Sequence, residues 1–230
     1  MYTYMGGLRG RKFKPCSSLV GLAKPQADGG LVEGSIVTVI AYHLIWTVYG
    51  TWLPNDPRGS GSTFVETPEL AELGDPHFGR KRVQPSRSEV KEFYTEAEEK
   101  LSFPIVRFDE RQRHAVGESF SEIIHKFKYT CYACAIMPDH VHLVIRKHRD
   151  SSEQMIGNFQ GMSRAKLLST DVVQTDHPVW TKRGWKVFLD TPEEVWRRIR
   201  YVEKNPAKEG LSAQQWSFVT PYDNWPLRRS

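Results

Sequence analysis

Two histidines, His140 and His142, stand two positions apart in "MPDHVHLVIRKH", a run that otherwise alternates Val, Leu and Ile. In an extended chain successive side chains point to opposite faces, so both imidazoles share one face while Val141, Leu143 and Ile145 line the other. That geometry can bring two imidazoles to one metal ion, and it equally describes the wet side of an ordinary strand. Some sixty residues downstream lies "TPEEVWRRIRYVEKNPAKEGL". At helical spacing Val195, Ile199 and Val202 form its apolar face with Trp196 at the border, and Tyr201 points almost the opposite way. Asn205, one turn later, falls beside Tyr201.

If the histidine face and the tyrosine face meet, two imidazoles and an amide oxygen could hold a divalent cation and leave positions open for a phosphate. A phenol with an ordinary pKa of about 10 is a poor nucleophile at neutral pH unless a metal and cations favour its phenolate. Attack by tyrosine rather than water keeps the broken phosphodiester as a phosphotyrosine ester, so a strand can be rejoined without ATP. Basic residues flank these segments: Arg146, Arg164 and Lys166, then Lys182, Arg183 and Lys186, then Arg197 and Lys204. They are candidate contacts to a polyanion. Cys131 and Cys134 form a CxxC in a stretch that reads as a strand, where positions i and i+3 face opposite ways, so they are not expected to chelate a metal.

The elements that must position these residues can be read from periodicity and caps. Residues 35–47 alternate as a first strand, and a turn-rich stretch with one helical patch at 88–101 forms an insertion of roughly residues 50–103. Asp109 caps a second amphipathic helix. Strands at 128–136 and 140–147 pair as a hairpin across the tight "MPD" turn. Ser151 with Gln154, and Thr191 with Glu194, form capping boxes for two further helices, the last running until Pro206; a short strand at 185–189 lies between them. Helices interleaved with antiparallel strands predict an α+β fold, a ferredoxin-like antiparallel sheet packed with helices.

The chain has 230 residues, with a charged fraction of 26% and an apolar fraction of 39%, which fits one globular domain at 35–230 behind a basic leader at 1–34. No apolar run is long enough to span a bilayer. Three cysteines fit a reducing cytoplasm, and a net charge of +5 favours a polyanionic partner.

The segments "MPDHVH" and "YVEKNPAKEGL", joined through "PVWTKRGWKVFLD", resemble those of the single-tyrosine HUH transposases, the insertion-sequence and REP-associated tyrosine transposases, over about residues 42–211. The resemblance implies a ferredoxin-like core that nicks and joins single-stranded, hairpin-associated DNA through a 5′-phosphotyrosine. It implies Tyr201 as nucleophile, His140, His142 and Asn205 as ligands of Mg²⁺ or Mn²⁺, the flanking basic residues as DNA contacts, and a monomer or homodimer acting at the nucleoid. Asp139 stands where that family often has asparagine, a charge that could tune the metal or orient a ligand. In "GTWLPNDPRGS", Asp56 and Arg58 read as a solvated turn or as DNA contacts. Two rival readings remain: a non-catalytic DNA-binding regulator on the same fold, with Trp46, Trp180 and Trp185 stacking on bases, and a zinc hydrolase that leaves Tyr201 idle.

Overall fold

The protein is described by a computed structural model over residues 38–169 and 176–226, so the expected leader and the first residues of the expected first strand lie outside the described residues. A first strand, β1 (Ala41–Thr47), leads into α1 (Pro68–Ala71), α2 (Arg87–Lys100) and α3 (Glu110–Phe127). The hairpin β2 (Cys131–Ile136) and β3 (His140–Arg146) follows, then α4 (Ser152–Ser169), β4 (Trp185–Leu189), α5 (Pro192–Glu203) and α6 (Asn205–Lys208). The sheet order is β2-β3-β1-β4 with every neighbouring pair antiparallel. With α3 crossing from β1 to β2 and α4 from β3 to β4, this is the expected ferredoxin-like α+β arrangement, and α1 and α2 lie in the stretch read from sequence as an insertion.

Helix ends explain where the elements stop. Asp109 accepts a hydrogen bond from the Gln112 N–H while the Gln112 side chain accepts from the Asp109 N–H, a full capping box for α3. Its other end is closed by Lys128 in the left-handed region at φ 59°, which shortens β2: the strand begins at Cys131 and not at Lys128. Ser151 and Gln154 cap α4 reciprocally, as expected. For α5 only half the box forms: the Thr191 hydroxyl accepts from the Glu194 N–H, while the Glu194 carboxylate takes the Asp190 N–H. Pro206 ends α5 only nominally. It sits in the first turn of α6, where a missing N–H costs nothing, and the helical path bends on through Asn205.

The two faces of the sheet differ. Toward α3 and α4, Leu44 and Trp46 of β1 and Val141, Leu143 and Ile145 of β3 pack with Phe120, Ile123 and Phe159 in the main core. Trp180 is buried there too, so neither it nor Trp46 is available to stack on bases; Trp185 is half-buried. Toward α5, small residues Ala41, Ala133 and Ala135 lie beneath Val195, Ile199 and Val202. A β-bulge between Cys131 and Ala133 resets the alternation of β2, so both thiols fall in the α3/α4 core, against the expectation of opposite faces. They remain unsuited to chelation: burial pushes the Cys131 thiol up to about 12 and the Cys134 thiol well above its ordinary range.

The insertion has its own small core of Leu53, Leu70 and Ala97. Asp56 is not in a solvated turn. Its carboxylate is buried, paired with Arg58 at 2.6 Å and accepting the Tyr94 O–H at 2.5 Å, while the Arg58 guanidinium lies 4.0 Å from the Trp52 ring centre. Among the described residues no helix is long and apolar enough to cross a membrane.

Candidate metal and nucleophile site

β3 is a central strand, and its His140 and His142 point to the α5 side of the sheet. In the register His142 lies opposite Ile45 and His140 opposite Thr47, which puts His43 on the same face, diagonal to His142. The three imidazoles are buried. His142 Nδ1 and His43 Nε2 are 3.0 Å apart, with the rings stacked at 5.1 Å. His140 Nδ1 is 2.6 Å from Asp139 Oδ1. In both members of the pair Nδ1 is engaged by a neighbour, so Nε2 is the atom each can offer. His142 Nε2 is buried with no hydrogen-bond partner.

The turn before His140 is held from two sides. The Val48 N–H and the Thr51 hydroxyl donate to the Asp139 carbonyl, the Phe108 N–H donates to the Pro138 carbonyl, and Arg107 lies 3.4 Å from the Asp139 carboxylate. These residues flank the insertion, so its two ends brace the turn that carries Asp139 and His140. Burial opposes ionisation of Asp139, but the hydrogen bond and charge of His140, with Arg107 and Arg58, outweigh it and hold the carboxyl at about 2. Burial, then the Arg198 charge, holds His43 at about 3; burial, then His140, His43, Lys208 and Arg198, pushes His142 well below the ordinary range. Both are therefore neutral imidazoles at physiological pH, the form that ligates a metal.

Tyr201 meets these rings. α5 packs on the histidine face, and the Tyr201 ring is 5.7 Å from His142 and 5.9 Å from His43. The sequence placed Tyr201 opposite the apolar face of its helix; in the structure it is half-buried at the edge of that face, over the histidines. The Lys208 ammonium lies 4.2 Å from its ring centre. Asn205 is buried, its Nδ2 donating to the Tyr201 carbonyl at 3.0 Å, which leaves Oδ1 as its ligating atom. One turn further, Glu209 joins Asp139 and His140 in a group whose ligand atoms lie within 4.8 Å of one another. Desolvation and the nearby Asp139 raise the Glu209 pKa. Buried neutral imidazoles, an orphaned Nε2 and oxygen donors at the rim are a donor set that fits a divalent cation.

Of the basic residues named from sequence, most are engaged within the protein. Arg164 donates to the His177 carbonyl, Lys166 pairs with Glu118 and Glu122, Lys182 and Arg183 with Glu66, and Lys186 with Glu153. Arg146 stacks on Trp225; Arg197 and Lys204 are exposed. Sequence reasoning missed His43, Lys208 and Glu209 as neighbours of the site. Same-face parity on β1 could have flagged His43 only once the β1–β3 register was known.

Imidazoles from the two central strands, met by a phenol on a crossing helix, give this α+β protein a candidate histidine and tyrosine site. Residues 86–203, about half the chain, match the family described as "Transposase IS200 like", and the chain belongs to that family of transposases. Solved structures similar to it include a REP-associated tyrosine transposase bound to a REP hairpin, at 10% identity and a TM-score of 0.37 over 75% of this chain and 70% of that one. Another is a proposed transposase of Deinococcus radiodurans, at 13% identity and a TM-score of 0.35 over 81% of this chain and 100% of that one. No curated protein matches the chain.

Proposed function

We propose that the protein cuts and rejoins single-stranded DNA beside a hairpin, with Tyr201 as nucleophile and Mg²⁺ or Mn²⁺ held by His140, His142 and Asn205. Glu209 stands ready as a further oxygen donor. The observation that carries this reading is the meeting of Tyr201 with the neutral imidazoles of His142 and His43, beside a His140/His142 pair whose Nδ1 atoms are both engaged. A bound divalent ion would polarise the scissile phosphate and stabilise its developing charge. Tyr201 Oη attacks phosphorus and gives up its proton, the bond from phosphorus to the 3′ oxygen breaks, and that oxygen leaves as a hydroxyl once protonated. Lys208 places a positive charge over the ring that loses the proton. Reversal of the same steps by another 3′-hydroxyl joins strands. His43 and Asp139 act one shell out, orienting the two imidazoles. The work would be done in the cytoplasm, at the nucleoid.

The test is direct. Protein, Mn²⁺ and labelled single-stranded hairpin DNA should give a covalent adduct on a denaturing gel, and Tyr201→Phe should give none. An adduct that survives that substitution removes Tyr201 from the role; hydrolysis without an adduct would favour a water nucleophile.

A further inference from the structure

The end of the sheet remote from Tyr201 carries a second group of cations. Lys126 and Lys128, at the close of α3, and Lys147 and Arg149, just after β3, surround a pocket of about 640 Å³ walled by Phe127 and Trp225. Ligand clefts run to roughly 300–1,000 Å³, so there is room for a nucleotide and not just an ion. The walls are fixed by their neighbours. Phe127 stacks on Tyr129 at 5.5 Å, Tyr129 meets His148 edge-on at 4.9 Å, and the Arg146 guanidinium lies 3.9 Å from the Trp225 ring centre.

Charge here is not balanced locally. Among the described residues no carboxylate lines the pocket. Asp150, just outside, accepts the Tyr129 O–H at 2.7 Å and lies 3.6 Å from His148 and 3.8 Å from Arg149, and Asp223 accepts the Trp225 N–H at 3.2 Å. Lys126, Lys128 and Lys147 are exposed and have no acidic partner among the described residues. Lys147 lies five residues beyond His142, and at about 3.3 Å per residue the pocket lies roughly 15 Å along the strand from the ring that Tyr201 meets. That is the length of about four or five phosphates along one strand of a duplex, at about 3.4 Å each.

We propose that this pocket binds the sugar–phosphate backbone of the DNA whose scissile phosphate lies at Tyr201, with Phe127 and Trp225 against a sugar or base. The inference rests on the reading that single-stranded or hairpin DNA is the substrate. The pocket would hold the stem while the site at the other end of the sheet acts on the flank.

Fluorescence anisotropy with a labelled DNA hairpin bearing a single-stranded flank, over a range of KCl, tests it on the full chain. One variant carries Lys126→Glu, Lys128→Glu and Lys147→Glu. A second, Arg80→Glu with Arg82→Glu and Lys91→Glu, changes the charge equally on exposed positions of the insertion. The pocket variant should bind about tenfold more weakly or worse, and its salt slope should fall by about 2 to 3, with a much smaller change in the control. Adduct formation with a short oligonucleotide spanning only the scissile phosphate should be equal in both. Equal losses in the two variants, or no loss in the pocket variant, overturn the proposal, as does wild-type protein binding anionic lipid vesicles in preference to the hairpin. If wild-type protein forms no adduct but the pocket variant selectively loses DNA, the pocket stands and the strand-transfer reading falls.

Discussion

His43 has no motif around it and lies far from His142 in the chain, yet it is the residue 3.0 Å from the Nδ1 of that imidazole. A neighbour of this kind fixes ring orientation and tautomer, and losing it typically costs about 10–100-fold in metal affinity. His43→Ala should therefore weaken Mn²⁺ binding by about that factor in an electron paramagnetic resonance titration of the free protein; unchanged affinity would reduce His43 to packing. The two core thiols support a prediction of opposite character. Both have pKa values raised above those of the unfolded chain, Cys131 to about 12, so they stay protonated in the fold at a pH where unfolded thiols ionise. Their contribution is fully present below about pH 8.5 and is lost as pH rises toward 12. Melting temperature should fall through that window in a Cys16→Ser background, and less so when Cys131 and Cys134 are both alanine. Of the candidate site, His140, His142, Tyr201 and Asn205 were legible because types and spacing within one strand or helix carry them. His43, Lys208 and Glu209 were not, since only the sheet register and the bend after α5 bring them in.

Most elements were legible because their signals are local. The Asp109 cap, the Ser151 box, the hairpin around "MPD" and β4 all stand where caps and alternation placed them. What escaped depends on a neighbour or on one unusual backbone angle: the left-handed Lys128 that shortens β2, the bulge that turns Cys131 inward, and the helical turn that absorbs Pro206. The insertion was legible as an interruption but not as a brace. Its residues are tied together by the Asp56–Arg58 ion pair, almost entirely sealed from water, and by the Tyr94 O–H that donates to Asp56. Removing one partner of such a pair leaves a buried charge unmatched, at a cost of about 3–5 kcal/mol. Arg58→Ala should lower unfolding free energy by that order in urea. Because the ends of the insertion hold the Asp139 turn, the variant should also weaken Mn²⁺ binding at temperatures where it remains folded.

Across the whole molecule, the C-terminal segment finishes what the sheet leaves open. The Gln214 side chain accepts from the Ile136 N–H and donates to the Ile136 carbonyl, both at 2.8 Å, and the Thr220 N–H donates to the Cys131 carbonyl. Side chain and backbone together occupy the outer edge of β2, which would otherwise present bare hydrogen-bonding groups. Gln214→Ala should cost about 1–3 kcal/mol in urea unfolding, the range for two lost bonds that strand buried partners. The partition between the two faces of the sheet reaches further. One side holds Trp46, Phe120 and Phe159 in the larger core; the other holds the histidines beside a smaller cluster in which Ala41, Ala133 and Ala135 meet Val195, Ile199 and Val202. A genetic selection for abundant but inert protein should therefore draw its survivors from the α5 side, while losses on the α3/α4 side should register as disappearance. Drift that spares the fold would then accumulate on one surface of the sheet and be held back on the other.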